Sequence, residues 1–168
     1  MSIHFWWGSG RSVSATLWES SYQYDPAGNI TSIATLANGE SDAKSFSYDA
    51  NGNMTTRNDR TGSYSQTWDV ENRLVQVTDN GGGVTTFTYD ASGNRVKTVK
   101  PDGRITYTPF PHYEETIAGA TTTRVTYMLG GQMIAVRVSG DPDPANNGRF
   151  YLYADHLGSV SAMSDENG

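Results

Sequence analysis

Along this chain apolar and polar residues alternate with a period of two in short runs. Clusters of Gly, Asn and Asp separate the runs. Val13, Ala15 and Leu17 alternate against Ser and Thr, Ile30, Ile33 and Leu36 continue the pattern, and Ala37-Asn38-Gly39-Glu40 reads as a reverse turn. Lys44 to Tyr48 runs back, with Phe46 and Tyr48 on one face. The same logic then repeats. Met54 to Arg57 goes out, the cluster from Asn58 to Gly62 turns, and Tyr64 to Trp68 returns. Leu74 to Thr78 goes out, Asp79 to Gly83 turns, and Val84 to Tyr89 returns. Beyond Val99 the spacing loosens, but Ile105 to Phe110, Tyr113 to Ile117, Thr123 to Leu129 and Met133 to Val138 still read as strands. Pro109 and Pro111 mark a bend or an edge strand, because proline cannot donate to a ladder. No window sustains a 3.6-residue period with caps, so the pattern predicts an all-β chain, a repeat ribbon of antiparallel β-hairpins, paired side by side and strongly twisted.

The breaks are themselves a repeat. Tyr24-Asp25-Pro26-Ala27-Gly28-Asn29, Tyr48-Asp49-Ala50-Asn51-Gly52-Asn53, Trp68-Asp69-Val70-Glu71-Asn72-Arg73 and Tyr89-Asp90-Ala91-Ser92-Gly93-Asn94 start 24, 20 and 21 residues apart. A fixed period of this size marks a repeat architecture. Each unit reads as an aromatic ending one strand, a tight corner, and an apolar residue starting the next. Asp at the first corner position can bond the backbone two residues on, and Gly, or Asn at Asn72, can adopt positive φ. The structural turn residues are therefore Tyr24, Asp25 and Gly28; Tyr48, Asp49, Gly52 and Asn53; Trp68, Asp69 and Asn72; and Tyr89, Asp90, Gly93 and Asn94. Two weaker copies follow. Lys100-Pro101-Asp102-Gly103 drops the aromatic, and Tyr153-Ala154-Asp155-His156-Leu157-Gly158 lengthens the unit by one residue, adding Asp155, His156 and Gly158 to the turn set.

These motifs resemble the RHS or YD-repeat family, whose unit is roughly Tyr-Asp-x-x-Gly-Asn/Arg before a short apolar strand. The run from Tyr153 to Val160 is similar to the Asp-His-Leu-Gly-Ser stretch that opens the RHS-repeat-associated core. The resemblance covers about Tyr22 to Gly168. It implies a short section of a YD-repeat shell spiral, the hollow β-shell that encloses a toxic C-terminal domain in bacterial polymorphic toxins and serves cell-surface recognition in teneurins. In the bacterial family, aspartates further into that core cleave the chain. The sequence reaches Gly168 before such a motif, so the resemblance carries over no catalytic residue. The expected organisation is a non-repeat leader at 1–12, hairpin repeats at 13–139, a surface loop at 140–148 and the truncated start of the core motif at 149–168. The family is typically secreted or delivered from the bacterial cell; no signal peptide is expected in residues 1–8, and the compartment stays open.

Composition narrows the chemistry. Hydrophobic residues make up 36% and charged residues 18%, while Tyr and Gly are plentiful, which fits a turn-rich β protein and not a disordered one. A net charge of −6 without a basic stripe argues against a nucleic-acid partner. No run of 18 apolar residues offers a membrane span. Cysteine is absent, which removes thiolate chemistry and disulfides. Asp49, Asn51 and Asn53 have a calcium-loop spacing, but Met54 and Arg60 stand where an EF-hand needs Gly and Glu, so no metal is expected. Asp155 and His156 are adjacent and would point to opposite faces of a strand, a poor acid–base pair. No cofactor is expected. Tyr24, Tyr48, Trp68, Tyr89, Tyr107, Tyr127 and Tyr153 fit a column between repeats, whereas Trp18, Tyr22 and Tyr64 lie off that register and are candidates for a ligand face.

Two function classes follow. One is a structural or encapsulation module without chemistry of its own, its partners a toxin domain and a continuing RHS shell. The other is a carbohydrate- or partner-binding module. Strand edges near Val13 to Trp18 and Phe150 to Val160 are expected to invite self-association.

Overall fold

The computed structural model describes residues 2–7, 11–16 and 18–167, with side chains from Trp18 onward. The chain divides into two compact units, residues 1–84 and 85–168. In the first, β1 (Ser2–Trp7) and β2 (Arg11–Thr16) form a separate hairpin in which Ser2 faces Thr16 and Trp7 faces Arg11. The leader expected at 1–12 and the strand expected from Val13 thus share one hairpin. The side chains of Trp6, Trp7, Val13, Ala15 and Leu17 lie outside the described residues.

The rest of this unit is a meander in which each strand pairs antiparallel with the next in sequence. Its strands are β3 (Trp18–Tyr24), β4 (Ile30–Ala37), β5 (Glu40–Tyr48), β6 (Met54–Asp59), β7 (Gly62–Trp68) and β8 (Leu74–Asp79). Meander order follows from short connections, since two- to five-residue turns can join only antiparallel neighbours. The second unit has the same plan, with β9 (Val84–Tyr89), β10 (Arg95–Val99), β11 (Ile105–Phe110), β12 (Tyr113–Ala118), β13 (Ala120–Leu129), β14 (Gln132–Ser139), β15 (Gly148–Ala154) and β16 (Val160–Ser164). The one helical element among the described residues is a single 3-10 turn at Pro144–Asn146. The fold is the all-β ribbon of antiparallel hairpins that the alternation predicts.

Register sorts the side chains. In the first unit Tyr22 stands opposite Ile33 and Ile33 opposite Lys44, while Phe46 stands opposite Arg57 and Arg57 opposite Tyr64. Directly opposed residues share a face, so this face carries the rings and the long aliphatic chains. Ser45, Asn58, Ser47, Thr56, Ser65 and Thr78 oppose one another on the other face, where the Asn58 amide donates to Ser45 Oγ at 3.0 Å.

Burial is shallow throughout. Among the described residues the buried hydrophobics are Ala135 and Val138, both in β14. Most strand residues are half-buried, as in a repeat protein whose core is a stripe shared between neighbours. Val138 pairs with Gly148 of β15, across the loop that follows β14. Asp141, Ala145 and Asn146 of that loop border a cavity of about 550 Å³ together with Val136, Val138 and Phe150. Asn147 ties the loop down, accepting from the Asp141 N–H at 2.9 Å and donating to the carbonyls of Asp141 at 2.9 Å and Asp143 at 3.1 Å.

Candidate functional site: the aspartate corners

In the first corner, between β3 and β4, the Gly28 N–H donates to the Asp25 carbonyl at 3.0 Å and the Asp25 N–H to the Asn29 carbonyl at 2.9 Å. One carboxylate oxygen, Asp25 Oδ1, accepts the N–H groups of Ala27 and Asn29, each at 2.9 Å, and Oδ2 accepts the Asn29 side-chain amide at 2.9 Å. Five residues thus close on one side chain. Gly28 has φ of 89°, which only a residue without Cβ adopts freely, and Pro26 fits the second position of the turn, where φ near −65° is wanted.

The same geometry recurs. Asp49 Oδ1 takes the N–H groups of Asn51 and Asn53, and Oδ2 takes the Asn53 amide at 3.0 Å. Asp90 takes Ser92 and Asn94 N–H, and the Asn94 amide, in the same way. At Asp69 an arginine replaces the final Asn: Oδ1 takes the N–H groups of Glu71 and Arg73, and Arg73 Nε donates to Oδ2 at 2.8 Å. Asp155 Oδ1 takes Leu157 and Ser159 N–H, and Gly158 has φ of 84°. The Asp155 corner therefore has the common length; the additional residue of this copy is Ala154, which stands between Tyr153 and the corner.

Two turns depart from expectation. At Lys100 the backbone bonds persist, Lys100 N–H to Arg104 carbonyl at 2.8 Å and Gly103 N–H to Lys100 carbonyl at 3.0 Å. With no carboxylate at the first position, Asp102 Oδ1 takes the Arg104 N–H instead. Asp79 builds an aspartate corner in the stretch from Asp79 to Gly83, which the alternation marks only as a turn. Its Oδ1 accepts from Gly81 at 2.9 Å and Gly83 at 2.8 Å, and a Cβ at Gly83 would stand 2.6 Å from Asp79 Oδ2. No aromatic precedes Asp79, so the Tyr-Asp signature misses it; the signal that finds it is Asp followed by Gly at the third and fourth places.

Hydrogen bonding to the ionised form holds the corner carboxyls of Asp25, Asp49 and Asp90 below the usual range. The leading cause in each is the Asn side-chain amide, followed by the backbone N–H of the same Asn. Asp69 is lowered chiefly by the Arg73 N–H. Asp59, in the turn after β6, is lowered first by the Thr61 hydroxyl. Every carboxylate oxygen of Asp25, Asp49, Asp69 and Asp90 has a donor in its own turn, so these groups serve the backbone.

The aromatics join successive units. Tyr48 Oη donates to the Ile30 carbonyl at 2.8 Å, and Trp68 Nε1 donates to the Met54 carbonyl at 2.7 Å. In both, the ring that closes one unit reaches the first strand residue after the preceding corner. The corners also touch directly: Asn72 Oδ1 accepts the amides of Asn51 at 3.1 Å and Asn53 at 2.7 Å. Asn72 has φ of 59°, so it fills the glycine position while adding a link that glycine cannot make. Sequence reading treats Asn72 only as a glycine substitute.

The other expected residues fall as follows. Trp18 and Tyr22 lie on one face of β3 and are 55% and 48% exposed. Tyr64 is half-buried, with the Arg57 guanidinium 4.5 Å from its ring centroid. Its ring face is thus already engaged by a cation. Tyr24 and Tyr153 are exposed, and Tyr48, Trp68, Tyr89 and Tyr107 are half-buried. His156 is exposed on the Asp155 turn, whose carboxylate is bonded to backbone.

A ribbon of hairpins with Asp-x-x-Gly corners, tied unit to unit by the tips of its aromatics, is a YD-type repeat structure. The RHS Repeat family model matches residues 24–64 and 68–105, and the chain belongs to that family. Among curated proteins it is similar to the tRNA3(Ser)-specific nuclease WapA of Bacillus spizizenii, 31% identical over 172 residues, covering 88% of this chain and 7% of that protein. The tRNA nuclease WapA of Bacillus subtilis matches with the same identity and coverage. The chain thus spans a small fraction of the length of these relatives. Among solved structures it resembles TcdB2-TccC3, with a TM-score of 0.64 at 15% identity over 82% of this chain and 9% of that one. TcdB2-TccC3-Cdc42 matches with a TM-score of 0.65 at 12% identity over 98% of this chain and 11% of that one. At these identities the likeness is one of fold.

Proposed function

We propose that this chain is wall: a section of an RHS-type β-shell that encloses a toxin domain and takes no part in its chemistry. The observation that carries the reading is the coupling of two successive repeats each to the one before, through the Tyr48 and Trp68 donors and the Asn72 acceptor. Such links make a surface that extends by repetition, and the corner carboxylates are consumed in building it. The nuclease activity named for the WapA relatives would then reside in other parts of those proteins, consistent with the net charge of −6 and the absence of a basic stripe here. The test uses purified residues 1–168 beside the product of the whole native reading frame, both incubated with bulk tRNA. The chain alone should leave tRNA intact. Limited proteolysis of the whole product should also leave its enclosed domain protected until the wall is breached by paired corner substitutions such as Asp69→Ala with Asp90→Ala. Cleavage of tRNA by residues 1–168 would overturn the reading, as would unaltered protection in the doubly substituted product.

A second reading rests on Trp18 and Tyr22, two exposed rings at i and i+4 on one strand face. Flat apolar rings with polar edges suit the faces of sugar rings, and this pair would form a carbohydrate-binding platform. Loss of glycan-array binding on Tyr22→Ala, with unchanged melting, is its test. Absence of any glycan signal from the parent chain removes it.

A further inference from the structure

Asn-Gly is the dipeptide most open to attack of a backbone nitrogen on the preceding side-chain amide, because glycine offers no side chain to obstruct it. The chain has five: Asn38-Gly39, Asn51-Gly52, Asn80-Gly81, Asn147-Gly148 and Asn167-Gly168. The structure treats them unequally. The Gly52 N–H is held by the Asp49 carbonyl at 3.1 Å, and the Asn51 amide is held by Asn72. The Gly81 N–H is held by Asp79 Oδ1 at 2.9 Å. At Asn147 the side chain is fixed by three bonds to Asp141 and Asp143, and Gly148 is paired in β15 opposite Val138. Gly168 lies outside the described residues.

Asn38-Gly39 stands apart. It is the two-residue turn between β4 and β5, with φ of 53° and 83°, and Ala37 pairs with Glu40 beneath it. Both residues are exposed, and among the described residues neither the Asn38 amide nor the Gly39 N–H has a hydrogen bond. Positive φ at both positions defines the type I′ turn that Asn-Gly favours, so the residues that make this hairpin are also the reactive ones.

We propose that Asn38 is the site at which the folded chain deamidates, and that the aspartate corners shield Asn51 and Asn80 from the same reaction. The Gly39 nitrogen attacks Asn38 Cγ and loses its proton, the C–N bond of the side-chain amide breaks, and ammonia leaves. Water then opens the resulting succinimide at either carbonyl, giving aspartate or isoaspartate. The new carboxylate adds one negative charge beside Glu40 and Asp42. There Arg60 is the neighbouring cation, already paired to Asp42 at 3.4 Å and Glu40 at 3.7 Å. The isoaspartate product also lengthens the backbone by one carbon within a two-residue turn, which loosens the β4–β5 hairpin at the end opposite the corners.

The purified chain is aged in mildly alkaline buffer, and peptides are followed by mass spectrometry with isoaspartate detection. A parallel sample is aged in concentrated urea. In the folded chain the Asn38 peptide should convert at least about fivefold faster than those of Asn51, Asn80 and Asn147, since each of these must first break a hydrogen bond. In urea the four rates should converge. An Asn38→Ser chain should stay free of the early acidic species on isoelectric focusing. Equal rates in the folded chain, earlier conversion at Asn51, Asn80 or Asn147, or no conversion at Asn38 while the urea sample reacts, would each overturn the proposal.

Discussion

Replacing Gly52 by valine isolates what a corner costs when its left-handed residue is wrong. Gly52 has φ of 84°, and a Cβ built there meets nothing within 4 Å, so the penalty is confined to the backbone and owes nothing to packing. A β-branched residue held at positive φ costs about 2 kcal/mol, the middle of the range for such strain. Asparagine tolerates this region, and Asn72 occupies the equivalent place at φ of 59°, so Gly52→Asn should cost under about 0.5 kcal/mol. With a urea m-value of about 2 kcal/mol/M, valine lowers the unfolding midpoint by about 1 M and asparagine by less than about 0.25 M. Circular dichroism and tryptophan fluorescence should be followed together, because in a repeat chain one weakened corner can open locally before the rest. Valine and asparagine variants of equal stability would refute the reasoning. A large loss in both would show that the site lacks the space the geometry gives it.

Further expectations follow from the same bonds. Tyr48→Phe keeps the ring but removes the donor to the Ile30 carbonyl, and should cost about 1 kcal/mol in thermal or urea unfolding. Asn51→Ser loses one exposed bond to Asn72 and should cost less than about 0.5 kcal/mol in the same assay. Asp25, Asp49, Asp59, Asp69 and Asp90 have carboxyls lowered in the folded chain, so their stabilisation is fully present above the unfolded value of about 3.9 and is lost as pH falls through the lower folded values. Melting temperatures recorded down to about pH 2 should drop most steeply below pH 4, and less so in Asp90→Asn. At one end of the second unit β16 has β15 as its partner and presents Val160 and Met163, 51% and 61% exposed; light scattering over a concentration series should show assemblies larger than a monomer.

The strand plan was legible because both of its determinants are local. Alternation assigns faces, and Asp-x-x-Gly closes a turn within five residues whatever lies beyond it. Strand limits therefore fall close to the alternating runs, as at β7 (Gly62–Trp68) and β11 (Ile105–Phe110). The bulges beside the corners were not legible, because Tyr24, Tyr48 and Trp68 keep the parity of their strands while the partner strand inserts the additional residue. The reach of Tyr48 and Trp68 to carbonyls 18 and 14 residues back was also hidden. Repetition shows that an aromatic is wanted, but only the sheet register says which carbonyl lies under its tip. The Asp79 corner was hidden for a different reason: no aromatic precedes it to complete the Tyr-Asp signature, whereas the corner is built by the aspartate.

The interchange of Tyr48 and Trp68 shows what the repeat selects at this position. A column built on ring burial alone would accept phenylalanine, yet the chain's five phenylalanines, Phe5, Phe46, Phe87, Phe110 and Phe150, all stand elsewhere than directly before an aspartate corner. Tyr and Trp share a property that Phe lacks, a donor at the far end of a flat apolar body. At Tyr48 the phenol O–H meets the Ile30 carbonyl, and at Trp68 the indole N–H meets the Met54 carbonyl. Ile30 and Met54 are each the first residue after a corner, on the strand that carries the bulge and next to its inserted residue, Thr31 or Thr55. A bulge disrupts the ladder locally, and a carbonyl left unmet beside it in a half-buried sheet costs more than one hydrogen bond gains. The aromatic therefore repairs the irregularity that the preceding corner creates, so corner and ring are one device shared across two units, and the Tyr-Asp pair recurs as a pair.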